Sequence, residues 1–346
     1  MKKLSVWYLF SALLVLAITL ALTLLTKSQV HTSYYESQLE AANLMQQCLD
    51  LLKEYVVENN ISIEEEDLNQ TGLIGPEFSE LATTLGSEDA KRSTLNPNCA
   101  AMMVKYFKEA GLKEGSVVTV GTSGSFPGLA IATLCAATAM KLQTRVIASY
   151  GASTYGATRV DFNIATILKL ISEIVDFDFL AVSPGSDNDY GVGAFDGFLY
   201  ENTRDLVVAL GQTEGVEFIE GTQRRIELYG DIDLFVNIGG ASANTGSVVY
   251  SEGLLTEPTE KANGGLISYY LAQGIPVINL LYVKGLMAAN DLPFDPVPLP
   301  QAGQGGVYYT TCYKIYFILS GLLLAFCLLA VGAWQGRTAG KNNGKK

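Results

Sequence analysis

Two Gly/Ser-rich loops hold the side chains best suited to chemistry. The first is Gly121-Thr122-Ser123-Gly124-Ser125-Phe126-Pro127-Gly128, between the apolar run VVTV and the run PGLAIATLCAATAM. Small residues let a ligand approach the backbone. Amides at a helix start, with Ser and Thr hydroxyls, suit an anionic group. The loop is not a Walker A sequence, because no GK[ST] follows, and Ser125 breaks the GxSxG pattern. Ser123 and Ser125 are the candidate nucleophiles, although a capped turn without ligand uses the same residue types. The second loop, Gly239-Gly240-Ala241-Ser242-Ala243-Asn244-Thr245-Gly246, follows LFVNI. It is either a plain Gly-rich turn or the other wall of a pocket. A third loop, Ser149 to Asp161, carries Tyr150, Ser153, Tyr155 and Arg159. Arg159 either grips an anion or pairs with Asp161. The candidate ligand set is therefore Gly121, Thr122, Ser123, Gly124, Ser125, Arg159, Gly240, Ser242, Asn244 and Thr245.

Other chemistries are poorly served. The single histidine, His31, cannot build a multi-histidine zinc site, and it lies about four residues beyond an apolar span, so a Ser-His-Asp triad is not expected. A Ser-Lys pair with Ser123 or Ser125 stays open, with no lysine singled out. The five cysteines, Cys48, Cys99, Cys135, Cys312 and Cys327, form no CxxC motif. Cys135 reads as core, and a Cys48–Cys99 pair depends on the fold. Ser186-Asp187-Asn188-Asp189 resembles half a cation site without EF-hand spacing, and also reads as a polar turn. No metal or cofactor is expected. With 23 Lys+Arg against 35 Asp+Glu, the chain is a poor nucleic-acid binder.

The loops need elements to position them. Apolar strands are expected at Ser116–Val120, Arg145–Ser149, Phe179–Val182, Val216–Ile219, Leu234–Ile238 and Val277–Leu281. Helices are expected at Pro127–Met140, Phe162–Ile174, Phe195–Leu210, Gln223–Leu228, Ala262–Ala272 and Val283–Ala289. This alternation predicts an α/β fold, a Rossmann-like, mostly parallel sheet covered on both faces, spanning 96–292. Both loops then lie at strand carboxyl ends, where open sheets bind ligands. Upstream, 32–58 has the spacing of a packed helix within a membrane-proximal segment, 28–95. Glu64-Glu65-Glu66-Asp67 reads as a solvated run, and Asn96-Pro97 as the cap and first residue of a helix to Ala110. Four prolines between Pro293 and Pro300, then Gly303, Gly305 and Gly306, predict a stiff linker over 293–313.

Residues 4–26 contain no charge, and 23 residues of helix reach about 34 Å, enough to cross a bilayer core. The length favours an uncleaved anchor in 1–27 over a signal peptide. A second uncharged run, 22 residues between Lys314 and Arg337, precedes a basic tail, the pattern of a stop-transfer span in 314–346. The two ends hold eight Lys/Arg and no acid, whereas 28–313 holds 15 bases and 35 acids, net −20. The positive-inside rule then puts both termini in the cytoplasm and the large domain outside.

With its two spans, the string STLNPNCAAMMVKYFKEAG, the VTVGTSGSFPGLAIATL loop and the NIGGASANTG loop, the chain resembles the bacterial membrane proteins called poly-gamma-glutamate system protein. The resemblance covers the chain from the first span to the second. It implies an accessory membrane subunit working beside poly-gamma-glutamate synthase membrane subunits in synthesis, export or anchoring of the polymer, a capsule or cell-envelope role, and it carries no catalytic assignment. An acidic domain repels a polyanion broadly, so polymer contact would be local, through helix starts and bases such as Arg159, Arg224 and Arg225. The alternatives are an outer-face serine hydrolase or transferase acting on amide bonds, and a two-span sensor of a small carboxylate or phosphate. Gly321, Ala325 and Cys327 offer small residues for packing against partner helices.

Overall fold

Hydrophobic patterning sorts the chain into elements in a fixed order. A computed structural model describes residues 6–185, 189, 203–258 and 263–342. In chain order they are α1 (Val6–Leu25), β1 (Ser28–His31), α2 (Tyr35–Glu58), β2 (Ala82–Thr84), α3 (Glu88–Ser93), α4 (Asn98–Glu109), β3 (Val117–Ser123) and α5 (Pro127–Ala139). There follow β4 (Gln143–Ser149), β5 (Ala152–Ser153), α6 (Ile164–Ile171), β6 (Asp178–Ser183), α7 (Thr203–Thr213), β7 (Glu217–Phe218) and α8 (Thr222–Tyr229). The chain continues through β8 (Leu234–Ile238), α9 (Ser242–Thr245), β9 (Gly253–Leu255), α10 (Gly265–Ala272), β10 (Val277–Leu280), α11 (Val283–Ala289), β11 (Tyr309–Cys312) and α12 (Ile315–Asn342). Residues 195–202 and 262 of two expected helices, and 186–188 of the polar run, lie outside the described residues.

The chain divides into two compact units. The first comprises 1–32 and 309–346, the second 33–308. In the first, α1 and residues Ile315–Gln335 of α12 are each long and apolar enough to cross a membrane. They pack antiparallel: a Cβ on Gly321 would strike the Thr19 side chain, and one on Gly332 would strike Tyr8. Tyr8 also donates to Gln335 at 2.9 Å. Gly321 and buried Ala325 therefore serve packing within this hairpin rather than offering a free face to another protein's helices. Strands β1 and β11 pair antiparallel, with His31 opposite Tyr309 and their rings 4.8 Å apart.

The second unit is built on a seven-stranded sheet of order β7-β6-β4-β3-β8-β10-β9. All pairings are parallel except β10 with β9. Alternation along the strands divides the core, because successive side chains point to opposite faces. Val146, Leu234 and Val236 join α2, α4, α5 and α6 on one face, and Ile147 and Phe235 join α8 and α10 on the other. The order runs outward from β3 through β4 and β6, then restarts on its other side with β8, so it reverses between β3 and β8.

Segments read as loose are tied down. Asp67 is buried, and its carboxylate accepts from the Gly72 N–H at 2.6 Å and from the Thr71 hydroxyl. Glu64 pairs with Arg159 at 2.8 Å, so two residues of the acidic run are internal contacts, not solvated charges. The Pro/Gly stretch is stapled to the unit as far as Tyr308. Arg92 clamps Asp295 through two bonds of 2.7 Å, and the Tyr308 hydroxyl donates to Asn98 at 2.6 Å. The unit begins and finishes side by side: the Tyr35 and Tyr308 rings meet edge to face at 5.8 Å, and Gln38 donates to the Val307 carbonyl. Cys99 packs near the Ser93 carbonyl, whereas Cys48 faces Cys135 with sulfurs 3.8 Å apart, so the neighbour of Cys48 is Cys135, not Cys99.

Candidate functional site

Where the strand order reverses, the loops after adjacent strands diverge and leave a crevice at the carboxyl edge. Here the crevice is a cavity of about 450 Å³. Ser123 ends β3, and Ser125 and Phe126 lead into α5. Gly151 comes from the β4–β5 turn and Ser153 from β5, Gly240 and Ala241 follow β8, and 281–284 follow β10. The segment Thr83–Ser87 and the first turn of α3 close another side. The three loops singled out by composition thus converge on one hollow. The positive end of α5 adjoins it, since Pro127 follows the lining residue Phe126 directly.

The ten expected ligand residues divide. Ser123, Ser125 and Gly240 line the cavity. Gly121 and Asn244 instead serve each other: the Asn244 amide donates to the Gly121 carbonyl at 3.0 Å, and a Cβ on Gly121 would stand 2.7 Å from that amide. Thr122 is buried within β3. Gly124 spends its N–H on the Ser149 carbonyl at 3.0 Å, so this amide is not offered to an anion. Its tightness is steric, with an added Cβ 2.9 Å from that of Ala152, and it does not rest on a positive φ. Ser242 and Thr245 belong to the short helix α9, away from the lining.

Arg159 is a correction. Its guanidinium donates to the carbonyls of Ile74 and Ser62 and to Glu64, not to Asp161, and it is buried away from the cavity lining. It clamps the chain between α2 and β2. Arg224 is engaged on the surface with Glu217 and Glu227. Arg225 is fully buried against Asp189, with bonds to the Ser149 and Ser183 hydroxyls. That ion pair occupies Asp189, one of the two carboxylates that suggested half a cation site.

The residue missed by sequence is Lys91 in α3. It is 2% exposed, and its amine lies 2.6 Å from the Ser125 carbonyl, 2.5 Å from Ser153 Oγ and 3.8 Å from the centre of the Phe126 ring. Among the described residues, the charged ones lining the cavity are Asp89, Lys91 and Lys284. Asp89 is engaged by the Ala90 N–H and the Ser87 hydroxyl, and Lys284 is exposed near Phe294. With no carboxylate at bonding distance among the described residues, desolvation governs Lys91 and pushes its ammonium down to about 7. Ser153 in turn donates its backbone N–H to Ser125 Oγ at 3.0 Å, while the Ser125 backbone N–H donates to Ser123 Oγ at 3.4 Å. Three hydroxyls and one buried amine therefore form a connected set on the cavity wall. Neither Ser123 nor Ser125 receives the amine at its hydroxyl; Ser153 does. No family model matches the chain, and no curated protein matches it.

Proposed function

We propose that the chain is a membrane-anchored accessory component of poly-gamma-glutamate production or export, acting beside synthase membrane subunits. Its α/β unit holds a small acid or a carboxylate-bearing chain end in the cavity between β3 and β8. The resemblance of the quoted loop and helix strings supplies the biological setting. The observation that carries the ligand reading is the cavity itself, assembled from those loops and lined by hydroxyls, a buried amine and the rim cation Lys284. The order β6-β4-β3-β8-β10 supports the Rossmann-like reading, with the ligand at the reversal point. The segregation of acids into 28–313 supports an outer-face domain with both termini in the cytoplasm. A net −20 surface turns polyanions away, so binding is confined to this hollow.

Deleting the chain and measuring surface-bound and released polymer tests the reading. Both fall or redistribute if it holds, and Lys284→Glu, which reverses the rim charge, reproduces part of the loss. Polymer unchanged in both strains overturns it. In intact cells, a membrane-impermeant thiol reagent reaches Glu65→Cys and misses a cysteine placed after Arg337. The opposite labelling overturns the orientation.

A further inference from the structure

We infer that Lys91 and Ser153 form a base–nucleophile pair for acyl transfer, acting on a small amide or ester whose acyl part carries a carboxylate. The inference rests on the cavity being a ligand site, and it adds chemistry to that site.

The geometry supplies three requirements. The nucleophile borders the ligand space: Ser153, itself mostly buried, lines a 450 Å³ cavity, a volume suited to a small acyl unit. The base is in reach, because 2.5 Å separates Ser153 Oγ from Lys91 Nζ. The pair is also positioned by a third group, since the Ser153 N–H is held on Ser125 Oγ and the amine on the Ser125 carbonyl. Ser125 is thus a positioning residue. Among the described residues no carboxylate lies at bonding distance to keep Lys91 charged, and burial brings its ammonium down to about 7, so a share of molecules at neutral pH carry the free amine. In that form the bond reverses, and the Ser153 O–H donates to Nζ. Lys284 at the rim is placed to pair with a carboxylate on the acyl group.

The step balances without a redox partner. Ser153 Oγ attacks the acyl carbon while its proton passes to Lys91 Nζ. The tetrahedral adduct collapses, the C–N or C–O bond breaks, and the departing amine or alcohol takes that proton. Water then attacks the seryl ester, giving a proton to Lys91. Ser153 leaves with the proton, and the acid is released.

The test uses the full chain in mild detergent and a fluorophosphonate, whose P–F bond is replaced by an Oγ–P bond as fluoride departs. Labelling is expected on the peptide containing Ser153, with a rate that rises through pH 7. Ser153→Ala abolishes it, and Lys91→Met slows it about 100-fold or more while the melting transition persists. Ser153→Cys provides a second route: its thiol reacts with iodoacetamide, and Lys91→Met in that background slows the reaction. Labelling at other serines only, a pH-independent rate, or a rate unmoved by Lys91→Met in folded protein overturns the pair. Absent labelling with polymer lost on deletion removes the chemistry and leaves the binding role. Labelling of Ser153 with polymer unchanged on deletion keeps the chemistry and removes the polymer role.

Discussion

Two buried cations sit along the same carboxyl edge of the sheet, and they are opposites. Arg225 is 0% exposed and meets a carboxylate, Asp189, while its terminal nitrogen also reaches Ser149 and Ser183, which face each other at the ends of β4 and β6. Lys91 is nearly as buried, yet among the described residues it meets only a carbonyl, a hydroxyl and an aromatic face, and it borders a cavity. A guanidinium forked onto a carboxylate is a closed arrangement, suited to holding loops together. An ammonium with neutral partners is an open one, whose charge state answers to pH and to whatever enters the hollow. Burial alone does not separate structure from function; the counter-ion does.

The comparison breaks first at Asp189. Asp189→Asn leaves a buried guanidinium uncompensated and is expected to cost about 3–5 kcal/mol, read from the melting transition of the full chain in detergent. A change under about 1 kcal/mol would erase the distinction between the two sites. Lys91→Met sharpens it. The folded amine releases its proton near 7 and the unfolded one near 10.5, so between these values the unfolded chain binds more protons. Wild-type stability therefore rises with pH across that window and is flat below it with respect to this group. The rise should be missing from the variant, and equal pH slopes would show that Lys91 stays charged in the fold. Gly124→Val drives its side chain toward Ala152 and the Tyr150 carbonyl, for a loss of about 1–3 kcal/mol. Ser123→Ala removes only long contacts of 3.4 and 3.5 Å, and a loss below about 1 kcal/mol is expected in the same melt.

Much of the scaffold was legible because strand and helix periods are local. The run VVTV marked β3, and Asn96 accepts from the Asn98 N–H at 3.0 Å at the start of α4, whose cap position is Pro97 rather than Asn96. The strand simply runs three residues further, to Ser123, into the loop expected to begin at Gly121. Composition also found the three loops that converge. What it missed is what topology assembles. Lys91 lies on a six-residue helix of mostly polar residues, with no apolar period to show that it turns inward. Its partners, Ser125 and Ser153, are 34 and 62 residues away in sequence. Arg159 was expected either to grip an anion or to pair with the acid beside it in the chain, but its partner Glu64 lies across the fold and Asp161 stays exposed. Ser153 stood only as one member of its loop, because small polar residues crowd it and nothing in their order marks the one facing an amine.

The meeting of Tyr35 with Tyr308 makes the second unit a cassette. A unit whose first helix and last segment touch can be carried between two flanking sequences without stretching either, as inserted domains are. Its ends can equally be joined. A short linker from 308 back to 33 closes a small loop at little entropic cost, and a circularly permuted chain opened at an exposed turn would keep the same sheet order. The chemistry at the β3–β8 reversal would travel with the cassette, since every residue of that hollow lies between those two tyrosines.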